Sequence, residues 1–239
     1  FASLSEVEVR YVCDLDEKAR EAGIARVEQR TGKRPIGIKD YRQALDDKSL
    51  DALVSATPDH WHALPTIHAC QARKDVYVEK PDGHNILEGR TMVAAAKKHG
   101  RVVQLGTQSR SGVHFLSCME YLKTGAIGNV RFAKAWESAK QGSIGFPPDS
   151  DPPPGFDYDF WLGPAPLRPF NRARFHGSWR WFFDYGTGDL GNDGVHRLDY
   201  ARWALSCALE AQKETLPLLP RAVSALGGKY YFNDAQEWP

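Results

Sequence analysis

The sequence predicts an α/β protein in which a parallel sheet covered on both faces is followed by a second unit built on an open sheet. Three observations carry this reading. Up to residue 124, short apolar segments alternate with amphipathic ones, the pattern of strands and crossover helices. Each apolar segment stops at an acid, a proline or a glycine. From residue 125 the chain turns to half-polar alternation, proline and aromatic residues, which suit a mixed or antiparallel sheet with one open face. The domains expected are therefore 1–124 and 125–239.

The elements follow in order. Val7 to Cys13 alternates apolar and polar and ends in Asp14-Leu15-Asp16, a strand running into an acidic turn. Residues 16–31 carry Ala19, Ala22 and Val27 among charges and predict a helix. Leu50 to Ala56 predicts a second strand, stopped by Thr57-Pro58. A helix over about 60–72, a strand at 75–78 stopped at Pro81, and a helix over about 87–99 ending at Gly100 come next. Arg101 to Leu105 predicts a fourth strand, leading into Gly106-Thr107-Gln108. Beyond 125, Asn129 to Trp136 alternates like a half-exposed strand. Residues 147–170 hold eight of the 15 prolines and predict a long irregular connection. A helix over about 190–205 and strands at 222–226 and 229–232 complete the prediction, with the second sheet unfinished at Pro239.

Composition narrows the function. With 42% hydrophobic residues among 239, enough apolar surface exists to offset chain ordering, which excludes a disordered chain. No apolar run approaches the length of a bilayer core. Thirty-one basic against 30 acidic residues supply no field for nucleic acid. The four cysteines, Cys13, Cys70, Cys118 and Cys207, are too scattered for a disulfide scaffold or a thiolate metal site. A reducing, cytoplasmic compartment is expected, with export the alternative if a signal lies upstream of Phe1.

Two features bear on nucleotide binding. Gly186-Thr187-Gly188-Asp189-Leu190-Gly191 matches the dinucleotide fingerprint letter for letter. The fingerprint needs a strand before it and an acid ending the next strand, however, and the next predicted strand ends in Gly227-Gly228. The match is rejected. Asp14 ends the first strand of the alternating unit, where a carboxylate accepts hydrogen bonds from ribose hydroxyls and repels the extra phosphate of NADP. Its other reading is a cap for the helix that follows.

The strand ends carry Ala56-Thr57-Pro58-Asp59-His60-Trp61-His62, then Glu79-Lys80-Pro81, then Gly106-Thr107-Gln108. In this order they resemble the Gfo/Idh/MocA family of NAD(P)-dependent oxidoreductases. Asp159 to Pro166 and Gly188 to His196 are similar to a bacterial subgroup of it. The resemblance spans about residues 7–236 and implies a Rossmann domain followed by a substrate domain. It also implies that members begin one strand and one glycine-rich loop earlier and finish the second sheet later, so both domains are expected to be truncated here.

The same resemblance implies roles. Lys80 would be an active-site proton carrier, partial burial lowering its pKa. His196, on the 190–205 helix with Asn192, Asp199 and Trp203 on one face, is a candidate base on its own spacing, and the resemblance strengthens it. Val195, Leu198 and Leu205 would form the core-facing stripe. Many members have an aspartate four residues before this histidine, where this chain has Asn192, which cannot take a proton. Asp14, Thr57, Pro58, His62, Glu79, Lys80, Gln108 and Trp161 would meet the cofactor. Asp193 and Arg180 would meet substrate. His60 and His62 lack a convergent carboxylate or cysteine, so no metal is expected. The aromatic run Phe175 to Tyr185 reads either as a stacking surface for sugar rings or as an inter-domain seam.

The function expected is hydride transfer between NAD, with NADP second, and a carbohydrate-like sugar or polyol. One alternative is a glycosidase or lyase that retains NAD and oxidises the sugar transiently; another is a non-catalytic member. A homo-oligomer through the second-domain sheet is also expected.

Overall fold

The computed structural model describes residues 1–137, 141–217 and 219–238. Five parallel strands form two half-sheets. β1 (Tyr11–Cys13) pairs with β2 (Ile36–Ile38) in the register Tyr11 to Ile36. β3 (Ala52–Ser55), β4 (Asp75–Glu79) and β5 (Val103–Gly106) form the other, with Ser55 opposite Val78 and Glu79 opposite Gly106. No ladder joins β1 to β3 among the described residues.

Helices cover these strands. α1 (Glu17–Thr31) starts at Asp16, whose side chain accepts from the N–H groups of Lys18 and Ala19 at 2.8 and 3.3 Å, and ends at Gly32 with φ +71°. The short α2 (Arg42–Leu45) precedes β3. A 3₁₀ turn, Asp59–Trp61, leads into α3 (Ala63–Gln71). α4 (Ile86–His99) opens on a reciprocal cap: Asn85 accepts from Glu88 N–H at 3.0 Å, and the Glu88 carboxylate accepts from His84 N–H at 2.7 Å. Lys97, Lys98 and His99 complement the dipole at its end. Val76 and Val78, on one face of β4, pack with Leu45, Ala69, Cys70 and Ala95 into the first core.

Beyond the sheet the chain is helical and irregular. α5 (Val113–Lys123) packs on α7 (Val195–Ala211), with Phe115 and Tyr200 rings 5.0 Å apart. The short α6 (Tyr158–Leu162) belongs to an aromatic core of Trp161, Leu162, Trp179, Trp181, Phe182 and Tyr185. One π-helical turn, Leu190–Gly194, leads into α7.

The alternating half follows its prediction closely, with β1 shorter than Val7 to Cys13 and with β2, α2 and α5 added. The second half departs from it. Residues 129–137 and 222–232 form no strand, so no second sheet is present among the described residues. Alternation prepares one face of a strand, but a ladder needs a neighbour for its N–H and C=O groups, and among the described residues neither segment pairs with one. Phe132 and Tyr230 are left 77% and 87% exposed. No described helix is long and apolar enough to cross a membrane. All four cysteines are free.

Candidate active site

Parallel strands gather the polar turns at their carboxyl ends on one edge. Here those turns are Cys13 to Asp16 after β1, Ala56 to Pro58 after β3, and Lys80-Pro81 after β4. Two cavities of about 490 and 480 Å³ open along that edge. The larger is walled by Asp14, Asp16, Tyr41, Trp61, Phe160 and Trp161, among others. The smaller is walled by Asp59, His62, Glu79, Lys80, Arg180 and Asn192. Ala56, Thr57, Pro58, His176 and Trp179 belong to both walls, so the two form one trough from Asp14 to Lys80.

Lys80 ends β4, and its ammonium crosses to the second half to donate to the backbone carbonyl of Asn192 and, at 3.2 Å, to its Oδ1. Arg180 Nε donates to the same Oδ1 at 3.0 Å, its guanidinium stacked 4.3 Å from the Trp179 ring. The Asn192 amide nitrogen donates to Asp193 Oδ2 at 3.3 Å. The amide thus accepts from two cations on one side and donates to a carboxylate on the other, which an aspartate could not do. Burial and then Arg180 hold the Lys80 pKa below its ordinary value, against Asp193, Asp59 and Glu79.

His196 lies one turn beyond Asn192. It does not line the smaller cavity, and its buried Nδ1 has no hydrogen-bond partner among the described residues. Burial and the Lys80 charge lower its pKa, so the neutral imidazole is favoured. Asp193 lines neither cavity but acts electrostatically on both Lys80 and His196. Further along that helix face, Asp199 holds Arg110 through two bonds of 2.8 Å, and Arg110 lies over Trp203. Those two positions dock the helix and do not face the trough. Leu198, expected in the core, is 57% exposed.

The other expected positions separate into groups. Asp14 is exposed on the larger cavity, its Oδ1 accepting from Asp16 N–H at 2.9 Å. Asp16, not Asp14, caps α1, and the Asp14 carboxylate is left on the cavity wall. Thr57 and Pro58 lie where the cavities meet. Glu79 fits against Gly106, where an added Cβ would stand 3.1 Å from its carboxyl oxygens. Trp161 lines the larger cavity, and its carbonyl accepts from Trp61 Nε1 at 2.8 Å. His62 is 1% exposed, with Nδ1 2.6 Å from the Pro81 carbonyl and Nε2 2.9 Å from that of Thr57. The ring is wedged between two strand-end turns, with a carbonyl of each turn against one of its nitrogens. Gln108 is exposed and lines neither cavity.

Two contributors were not anticipated. Asp59 is 4% exposed and accepts from Thr187 N–H and Oγ1 at 3.1 and 2.7 Å. His176 reaches Asp16 at 2.9 Å across the larger cavity. Asp59 stands beside Pro58 at a strand end, and that position is its signal in the sequence. The literal glycine motif has packing causes: an added Cβ on Gly186 would stand 2.6 Å from Arg180 Cα, and one on Gly191 1.8 Å from Thr187 Oγ1.

Comparison with known proteins gives the family. The levoglucosan dehydrogenase of Pseudarthrobacter phenanthrenivorans is 26% identical over 200 residues, 79% of this chain and 43% of that protein. A glycosyl hydrolase family 109 protein of Shewanella sp. is 22% identical over 139 residues, 56% of this chain and 30% of that protein. The chain thus spans less than half the length of these curated relatives. The structure of the WlbA dehydrogenase from Bordetella pertussis, in complex with NADH and UDP-GlcNAcA, superposes with a TM-score of 0.58 at 22% identity, over 83% of this chain and 47% of that one. That likeness speaks to the fold alone. Residues 2–107 match the description "Oxidoreductase family, NAD-binding Rossmann fold" and residues 127–215 match "Oxidoreductase family, C-terminal alpha/beta domain". The chain belongs to the Gfo/Idh/MocA oxidoreductase family.

Proposed function

We propose that the protein is an NAD-dependent oxidoreductase acting on a sugar or polyol hydroxyl. The observation that carries this is the bond from Lys80, at the end of a Rossmann strand, to Asn192, one turn before His196. It brings a titratable amine of lowered pKa from one half toward a neutral imidazole from the other. NAD suits the trough, whose Asp14 end offers a carboxylate to ribose hydroxyls and disfavours the NADP phosphate. Thr57, Pro58, Glu79 and Trp161 would line its path, and His62 would support that path by holding the turns. Gln108 contributes only if it reorients.

When bound, the nicotinamide would supply the hydride acceptor for the carbinol carbon. The protein's part is the proton: as the C–H bond breaks and the carbonyl forms, the hydroxyl proton passes to the neutral Lys80 amine or to His196. Arg180, held by Asn192 and stacked on Trp179, would orient the substrate, and Asp193, which lines neither cavity, would act through its charge on Lys80 and His196. The levoglucosan dehydrogenase relative supports a carbohydrate substrate. Exposed Phe132 and Tyr230, on segments that pair with no strand among the described residues, support self-association through residues 125–239. A cytoplasmic location fits four free cysteines.

The test mixes the full-length protein with NAD and a panel of sugars and polyols and follows NADH absorbance. Lys80→Ala should lower kcat roughly 10²- to 10⁴-fold, the usual worth of a general base. Asn192, where a proton-accepting aspartate is common, favours one second reading, supported by the glycosyl hydrolase family 109 relative. There NAD would be retained and the oxidation reversed within each turnover. Nucleotide released on denaturation, with glycoside cleavage and no NADH, would select that reading.

A further inference from the structure

Asp59 is the most buried carboxylate on the trough, and the proton transfer above does not use it. It begins the 3₁₀ turn after Pro58, on the wall of the same cavity as Lys80. Its bonds to Thr187 tie the first half to the loop that precedes the π turn and Asn192. Thr187 in turn lies directly against Gly191 within that turn. The charged groups facing Asp59 are His62 on its own turn, Arg180 on the aromatic segment and Lys80 at the end of β4. It is thus a single buried carboxylate among three basic side chains, and removing such a charge from a low-dielectric setting is felt by all of them.

We propose that Asp59 is a positioning residue, a buried counter-charge that together with Asp193 holds the Lys80 proton and, through Thr187, the anchor of the turn that presents Asn192. Burial raises the Asp59 pKa, against the Thr187 bond and the charges of His62, Arg180 and Lys80. Lys80 itself also faces Arg180, Asp193, Glu79, Asp189 and His196. With Asp59 neutral, Arg180 acts on the amine less opposed, and Lys80 gives up its proton at lower pH. This rests on Lys80 being the proton carrier, but it concerns the amine's own affinity and can be read without turnover.

The experiment is trace acetylation of Lys80 with acetic anhydride across pH, quantified by peptide mass spectrometry on the full-length protein. Asp59→Asn keeps an oxygen for Thr187 and removes the charge; it should move the half-labelling pH down by about one unit. Thr187→Val removes the hydroxyl bond and keeps the charge, and should move that midpoint less than Asp59→Asn does. An unmoved or raised midpoint in Asp59→Asn, or a shift of equal size in Thr187→Val, overturns the proposal. If Asp59→Asn does not fold, the unaltered protein carries the test. Its Asp59 carboxyl carbon resonance should show an inflection at the Lys80 midpoint that disappears in Lys80→Met, and its absence overturns the proposal. A shifted midpoint in a protein that forms no NADH would support this inference while the dehydrogenase reading fails; an unmoved midpoint in an active dehydrogenase would do the reverse.

Discussion

His60 shows how one side chain makes stability depend on pH. Its Nε2 lies 3.1 Å from the Trp161 carbonyl and its Nδ1 3.3 Å from that of Tyr185, inside the aromatic core. Burial pulls its pKa from 6.5 to about 4. Between those values the unfolded chain binds a proton that the folded one refuses, so stability falls as pH drops from 6.5 to about 4. The loss is on the order of 3 kcal/mol. Urea midpoints measured across that window should fall in the unaltered protein and fall less in His60→Gln; equal slopes would assign the effect elsewhere. Gly163 carries a different constraint, since it stands at φ +50° and an added Cβ would lie 2.0 Å from Trp61 Cζ2. Gly163→Ala should cost roughly 3 kcal/mol or more in chemical denaturation, combining backbone strain with overpacking.

At the scale of the helix, α7 is placed by its docking more than by its own pattern. Arg110, just after β5, grips Asp199 with two bonds and covers Trp203, fixing the helix one turn past His196. The pair is partly exposed, so Arg110→Ala should lower stability by about 1 kcal/mol, and less at high salt. A double-mutant cycle with Asp199→Asn should return most of that as coupling; additive effects would show the contact to be idle. Spacing placed Asn192, His196, Asp199 and Trp203 on one face, and the structure divides that face between Lys80, which meets Asn192, and Arg110, which meets Asp199 and Trp203. Spacing could not show the division, because it depends on Arg110, which is distant in sequence. The three-residue β2 was too short to show a period, and the alternation at 129–136 describes a face without naming a neighbour. Strand ends were legible because prolines and acids mark them locally. Asp59 joined to Thr187 was not, since the two are 128 positions apart.

Across the whole molecule, contacts between the halves converge on one edge. Lys80 meets Asn192, Asp59 meets Thr187, His60 meets Tyr185 and Trp161, His176 meets Asp16, and His84 meets the Phe183 carbonyl. All of these join strand-end turns or helix starts of the first half to residues 161–192 of the second. Such linkage makes one cooperative unit, so tryptophan emission and far-ultraviolet circular dichroism should trace a single urea transition. Two separated midpoints would show that the seam opens first. The arrangement also has an optical consequence. Three of the seven tryptophans, Trp61, Trp161 and Trp179, stand on the wall of the larger cavity. Reduced nicotinamide absorbs in the region where indole emits, and oxidised nicotinamide does not. A dinucleotide seated in that trough would therefore drain indole fluorescence and glow in its place when reduced, giving the protein its own internal gauge of the redox state it holds.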